Sequence, residues 1–508
     1  MCIQSLLFND FDINDKVSEK KEYIVNSFSY NGLCSEKARQ ELEKKYEGIL
    51  EVTNKFDRRS VSYQMSKKDV LHSWLKYKEG FSANLVNTLL DEMKAKPGDL
   101  IMDPFMGSGT TALVCKMRGI NSIGYDILPL SSISIKVKKN IFKYDINEIR
   151  QLIREFSSLK MPDNYYRKTP YIKITETAYP EYNERFIQYI SDWIEQSNYS
   201  SEVKNLFTLC VVNSLEKCSY TSKDGQYLRW DSRASKILLA NAERCKMGRQ
   251  PLPKHQCRKT IENISDAVKE ELNRILTDII MLQFSKNTDI KANIDFKQKS
   301  VLFELPLIAN NTLNGVITSP PYCNRYDYTR TYALELVYLG LGEKEIKELR
   351  QSLLTCTVES KTKIDILHDF YKHIGASERF DSIYNKIKSN LVFQEIIQAL
   401  KIRKDNGDLN NNGILRMVEG YFTELAFIYA ELYRICKLGA SVAFVNDIVR
   451  YGGEVIPVDY LSTSFAEQFG FSPIKVYCIK QQKGNSSQQM KKYGRVPLRK
   501  SITIWKKE

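Results

Sequence analysis

The chain has 508 residues, a net charge of +14, a pI of about 9.0, and 43% hydrophobic and 11% aromatic residues. That is enough apolar material for two to four domains by the usual size, and the positive balance favours a polyanionic partner such as nucleic acid. No stretch reaches the length of a membrane span, residues 1–10 lack the basic-then-apolar order of a secretion signal, and eleven scattered cysteines form no disulfide framework, so a reducing cytoplasm is expected.

Residues 1–60 read as a polar arm and a covering helix, capped at Ser35 and carrying Ala38, Leu42, Tyr46, Ile49 and Leu50 at helical spacing. Residues 61–130 begin the core. Ser82 can cap a helix bearing Leu85, Val86, Leu89, Leu90 and Met93, and a helix N-terminus preceded by Lys78 suits a small carboxylate. Pro97 and Gly98 then turn the chain into a strand ending at Asp103. There follow Pro104, Phe105, Met106, Gly107, Ser108, Gly109, Thr110 and Thr111, and a helix with Ala112, Leu113, Cys115 and Met117. A strand, glycine loop and helix in this order form the first crossover of a Rossmann-like sheet, with glycines where a Cβ would keep the backbone from a ligand. The next strand ends in Asp126, an acceptor for a ribose diol.

Residues 131–295 read as a helical insert. Within it, residues 217–259 hold eleven Lys or Arg against three acids, a net of +8, interleaved with Tyr220, Tyr227 and Trp230. Cations among aromatics can neutralise phosphates and stack on bases, which makes Lys223, Arg229 and Arg233 candidate DNA contacts. The alternative is a solvated helical face. Cys245, His255 and Cys257 lack paired ligand spacing, and no metal is expected.

The core resumes over 296–340, where Val316 and Ile317 form a buried strand that breaks at Thr318, Ser319, Pro320, Pro321 and Tyr322. Two prolines fix φ and lack N–H groups, so the chain leaves the strand as a stiff corner. The Ser319 hydroxyl and the Pro320 carbonyl are acceptors for an amino group, and Tyr322 offers a face to a planar base. The lone pair of an exocyclic amine is delocalised into its ring. Acceptors that hold both N–H bonds aim that lone pair at a methyl donor. Arg325, Tyr328 and Arg330 follow in a tyrosine-rich run suited to face DNA, and Cys323 is read as non-catalytic, since carbon-5 cytosine methylation uses a cysteine directly after proline and no Pro-Cys pair occurs. Residues 341–413 read as a second helical insert ending in a flexible run. Residues 414–508 supply the last core strands, with two antiparallel runs at 474–479 and 501–505 and a mobile basic hairpin at 491–495.

The loop D-P-F-M-G-S-G-T-T at 103–111, followed downstream by T-S-P-P-Y at 318–322, resembles the amino-group DNA methyltransferases, which use S-adenosylmethionine. The serine of S-P-P-Y resembles the N4-cytosine members, whereas N6-adenine members usually carry Asp or Asn there. Residues 72–90 resemble the element that closes over the methionine end of the cofactor. The resemblance implies a Rossmann-like seven-stranded methyltransferase sheet with large helical inserts, target recognition lying between the two motifs. It places S-adenosylmethionine at Lys78, Phe81, Ser82, Asp103, Pro104, Phe105, Gly107, Ser108, Gly109, Thr110 and Asp126, and a flipped base at Ser319, Pro320, Pro321 and Tyr322. The implied reaction is methylation of cytosine N4 in double-stranded DNA, in the bacterial or archaeal cytoplasm at the nucleoid, with a cognate restriction endonuclease or other defence proteins as partners. Adenine-N6 methylation, RNA amine methylation and a non-catalytic DNA-binding subunit are the alternatives. One position departs from the family: where an acid often contacts the cofactor adenine, the run at 296–302 offers Gln298 or Ser300.

Overall fold

The apolar runs bounded by glycine and proline become strands. The computed structural model describes residues 20–167, 172–224, 227–284, 292–480, 490–496 and 498–508. Its strands are β1 (Leu50–Thr53), β2 (Leu100–Asp103), β3 (Asn121–Tyr125), β4 (Thr221–Asp224), β5 (Tyr227–Trp230), β6 (Ile294–Lys297), β7 (Leu313–Thr318), β8 (Cys436–Asp447), β9 (Val449–Tyr451), β10 (Glu454–Ile456), β11 (Ser472–Ile479) and β12 (Lys500–Lys506).

Eight of these form the central sheet, in the order β1-β11-β12-β8-β7-β2-β3-β6. From β6 to β8 the strands run parallel, while β12 opposes both of its neighbours. This is the expected Rossmann-like methyltransferase sheet with one strand more than the expected seven. The addition is β1, which pairs parallel with β11 and sets Leu50 opposite Val476. The helix before it stops at Glu47, because the open edge of β11 offers backbone partners that four extended residues can satisfy. The residues read as a cover therefore extend the sheet.

The chain runs outward from β2 through β3 to β6, then returns to β7 and continues to β8. Strand order reverses between β2 and β7, and open α/β sheets bind ligands at the carboxyl ends of strands at such a point. Between β3 and β6 lie the helices of the first insert and the hairpin β4–β5. Their apolar faces share one core with Tyr328, Tyr332 and Leu336, which follow the proline corner. Within the second insert, the helices Ser377–Ser389 and Leu391–Asp405 pack on the long helix Ile414–Ile435.

Two segments read as mobile are held down. At the end of the second insert, Asp408 accepts from Lys492 (2.9 Å) and Asn410 from Arg325 (2.9 Å). The basic run at 491–495 is anchored by Tyr493, which is buried, donates to the Asp408 carbonyl (3.0 Å) and meets Tyr30 edge-on at 5.2 Å. Among the described residues no helix is long and apolar enough to cross a membrane, and the ten cysteines there are free.

A buried ion cluster ties the two ends of the chain together. Arg499 donates to both oxygens of Glu43 and to Asp459 (3.0 Å), with its guanidinium 4.3 Å from the Tyr460 ring. It thus links the helix Lys37–Glu47, the helix Val458–Phe469 and the approach to β12. Arg499→Ala leaves two buried carboxylates without their cation and should lower the unfolding free energy by about 3–5 kcal/mol. Denaturant unfolding measures this, and an unchanged midpoint would show that the cluster carries no stability.

Candidate functional site: a cofactor cleft joined to a base pocket

The glycine loop is fixed by two carboxylates. Asp103, at the end of β2, accepts from the Thr318 hydroxyl of β7 (2.6 Å), the Thr111 hydroxyl (2.8 Å) and the Phe105 N–H (3.1 Å). Burial pushes its pKa up to about 6 against these bonds. Asp126, just beyond β3, accepts from the Gly107 N–H (2.8 Å) and the Leu128 N–H (2.8 Å), and burial likewise raises it to about 6. Gly107 has φ +52°, and a Cβ there would lie 2.9 Å from the Tyr77 ring. A side chain at this position would be both strained and obstructed.

A cleft of about 780 Å³ opens at this loop. Of the residues expected to hold the cofactor, Phe81, Asp103, Pro104, Phe105, Gly107, Ser108, Thr110 and Asp126 line it. Ser82, Gly109 and Lys78 stand outside the lining. The Ser82 hydroxyl accepts from the Leu85 N–H (3.3 Å) to cap the helix Ala83–Glu92, and Gly109 (φ +86°) precedes the helix Thr110–Met117. Lys78 donates its ammonium to the Lys223 carbonyl and lines a neighbouring pocket. Of the two candidates for contact with the cofactor adenine, Ser300 lines the cleft and Gln298 does not. The nearby acid Glu304 is engaged by Lys299 (2.9 Å) and Lys297 (3.5 Å).

The neighbouring pocket, of about 660 Å³, lies on the other side of the proline corner. Ser319, Pro320 and Tyr322 line it, and Glu79, Ser319 and Tyr328 line both spaces. Ser319 donates its hydroxyl proton to the Tyr322 oxygen (3.2 Å), which commits the proton and leaves the serine lone pairs as acceptors. Lys500 donates to the same Tyr322 oxygen (3.2 Å), stands 4.7 Å from that ring's centroid and 3.4 Å from Asp447. Burial opposes the charge on Lys500, but Asp447 and Tyr322 outweigh it and raise its pKa. Glu79 accepts from the Tyr332 hydroxyl (2.7 Å), and its carboxyl is raised, chiefly by burial.

Sequence reasoning missed Glu79, Asp447 and Lys500. The last two face each other in the β8–β12 register, Lys500 opposite Asp447. The available signal was a charge at the end of each of two apolar strands.

Most of the residues expected to face DNA have partners within the protein, although only Lys223 and Tyr328 are buried. Lys223 is buried, its ammonium paired with Glu335 and 4.5 Å from the Tyr332 ring. Arg233 chelates Asp231 (2.8 Å at each contact) and donates to the Arg258 carbonyl (2.8 Å). Arg330 pairs with Asp327 (3.2 Å) and Glu359 (2.7 Å), Arg325 reaches Asn410, and Tyr328 is buried beside Tyr77. Arg229 is exposed on β5. Composition counts charges without showing their partners, and these side chains fix the hairpin and the corner. The hairpin β4–β5 borders the site through the Lys78–Lys223 contact.

A glycine-loop cleft sharing a wall with an amine-accepting corner, at the switch point of a parallel sheet, is the apparatus of an enzyme that moves a group from a bound nucleoside cofactor to a flat acceptor. The family model described as DNA methylase, covering N6 and N4 enzymes, matches residues 12–130. The chain is 49% identical over 486 residues to the Type II methyltransferase M.BsoBI of Geobacillus stearothermophilus, covering 96% of this chain and 95% of that one. It is 37% identical over 473 residues to the Type II methyltransferase M.AvaI of Nostoc sp., covering 92% of each. The chain belongs to the Type II DNA methyltransferases of the N6/N4 amino-methyltransferase family.

The methyl donor of this family is S-adenosylmethionine, which supplies an electrophilic methyl group. The cleft fits it. Asp126 would accept from the ribose diol, Phe105, Ile127, Val301 and Leu302 would give apolar walls for a planar base, and the turn at Gly80 and Phe81 precedes a helix N-terminus that would suit a carboxylate. An ionised Asp126 accepts hydroxyl protons better than its neutral acid. Cofactor affinity should therefore be full at neutral pH and fall as pH drops through about 6. Asp126→Asn should weaken binding by about 2–3 kcal/mol and flatten this profile. Calorimetric titration at neutral pH and near pH 5 checks both points. Wild-type affinity in the variant would show that Asp126 serves the loop alone.

Proposed function

We propose that this enzyme methylates the exocyclic N4 amine of cytosine in double-stranded DNA, after the base leaves the helix. The observation that carries this reading is the neutral Ser319 hydroxyl at the seam of the two spaces, with its proton committed to Tyr322. A base stacked on Tyr322 sets its amine between Ser319 Oγ and the Pro320 carbonyl. These two dipoles take the N–H bonds, aim the lone pair at the cleft and stabilise the positive charge that grows on nitrogen. The likeness of S-P-P-Y to the N4-cytosine members supports cytosine over adenine. The relatives' printed names, Type II methyltransferase, support a cognate restriction endonuclease as partner and a place of action on chromosomal DNA in the cytoplasm.

Ser319→Ala removes one acceptor and should lower the single-turnover rate by about 10²–10³. Tyr322→Ala should also weaken base capture, by about 1–3 kcal/mol of stacking. Cofactor binding should survive in both. The assay transfers a labelled methyl group to duplex DNA, digests the product and identifies the nucleoside. N4-methylcytosine is expected. Label in N6-methyladenine would overturn the cytosine assignment, and a near wild-type rate in Ser319→Ala would overturn the mechanism.

For DNA binding we assign the exposed cations of the first insert. Lys246, Arg249 and Lys254 are exposed, on and just after the helix Ser235–Lys246. Replacing all three with Ala should reduce the salt slope of DNA binding by roughly 0.9 for each phosphate left without its cation. Lys223→Ala should leave that slope unchanged and lower stability instead. The reverse pattern would return the interface to the hairpin.

A further inference from the structure

The pocket beside Tyr322 contains a cation with bonding capacity to spare. An ammonium has three donors, and among the described residues the polar partners of Lys500 are the Tyr322 hydroxyl (3.2 Å) and Asp447 (3.4 Å). Lys500 lines this pocket together with Ser319 and Pro320. The side chain of Lys500 is 12% exposed, so it stands in the wall and not in bulk solvent.

We propose that Lys500 reads the target base, donating a hydrogen bond to a ring acceptor next to the amine. The proposal rests on the reading that this pocket receives the flipped base. The edge of cytosine presents a donor at N4 and then acceptors at N3 and O2. Ser319 and Pro320 match the donor, and Lys500 matches an acceptor. Ser319 and Lys500 each contact the same Tyr322 oxygen at 3.2 Å, so one base stacked on Tyr322 can meet both. A thymine or uracil turns an N–H towards Lys500 and is repelled.

A cation on the ring draws electron density away from the amine and slows its attack. The contact therefore serves capture and specificity, with Asp447 tempering the charge. Lys500 is a specificity-determining residue whose loss should appear in KM more than in the rate of methyl transfer.

The competing role is purely structural, with Lys500 holding the Tyr322 ring and never touching the base. A cycle of variant and base analogue separates the two. The full-length enzyme is assayed on duplexes carrying cytosine or 3-deazacytosine at the methylated position, the site being mapped first by single-molecule sequencing of modified DNA. The wild type should lose about ten- to a hundredfold in kcat/KM on 3-deazacytosine, chiefly through KM. Lys500→Met should show a similar loss on cytosine and no further loss on the analogue. If Lys500→Met still discriminates by the wild-type factor, Lys500 acts on Tyr322 alone and the proposal is overturned. A wild type indifferent to 3-deazacytosine overturns it without any variant, so the test survives a variant that does not fold. If the methylated nucleoside is adenosine, the cytosine reading fails, and the same cycle with 1-deazaadenine decides the role of Lys500 separately.

Discussion

The site depends on the hydrogen bonds of one buried carboxylate. Asp103 is 2% exposed and joins the end of β2 to the end of β7 through the Thr318 hydroxyl and to the helix Thr110–Met117 through the Thr111 hydroxyl. Burying an ionised group is costly unless donors surround it, and the raised pKa records the part of that cost the three donors do not offset. The benefit is positional. The glycine loop leaves from one side of this carboxylate and the proline corner from the other. Methyl transfer to a weak nucleophile gains chiefly from orientation, where an error of about an ångström can cost a hundredfold. This tie, added to the β2–β7 ladder, limits that error.

The inserts act on the same corner. Tyr77, below the glycine loop, stacks on Tyr332 from beyond the corner at 5.4 Å and 8°, and Tyr332 donates to Glu79 on the wall common to both spaces. Lys223 from the hairpin β4–β5 pairs with Glu335 one turn further along and receives the Lys78 ammonium on its carbonyl. Breaking one partner of a buried ion pair is strongly destabilising, so the hairpin and the corner move as a unit. On the proposed reading, engagement of DNA by the insert would thereby be connected to the wall shared by the two spaces.

The legible parts of this site were local in sequence. The strand, glycine loop and helix from Leu100 to Met117, the Asp126 strand end and the corner at Ser319 to Tyr322 are each written within a few residues, and each lies at the cleft or the pocket beside it. What depended on register was hidden. Lys500 and Asp447 are brought to Tyr322 by the pairing of β12 with β8, and β1 forms because β11 has an open edge. Charge partners were hidden as well: Lys223 looked like a phosphate contact until Glu335, 112 residues away, was placed against it. Residues at 405–413 have a flexible composition and are held by Lys492, Tyr493 and Arg325 from distant segments.

The two spaces meet at Ser319, so that one amine can be held there and face the cleft. A crystal structure of the enzyme with a non-reactive S-adenosylmethionine analogue and duplex DNA tests it most directly. The expected result is a base turned out of the helix and stacked on Tyr322, its amine within hydrogen-bond reach of Ser319 Oγ and the Pro320 carbonyl, and the analogue beside Asp126 with its donor position about 3–3.5 Å from that nitrogen. A base bound elsewhere, or an amine turned away from Ser319 with the cofactor in its cleft, would contradict it.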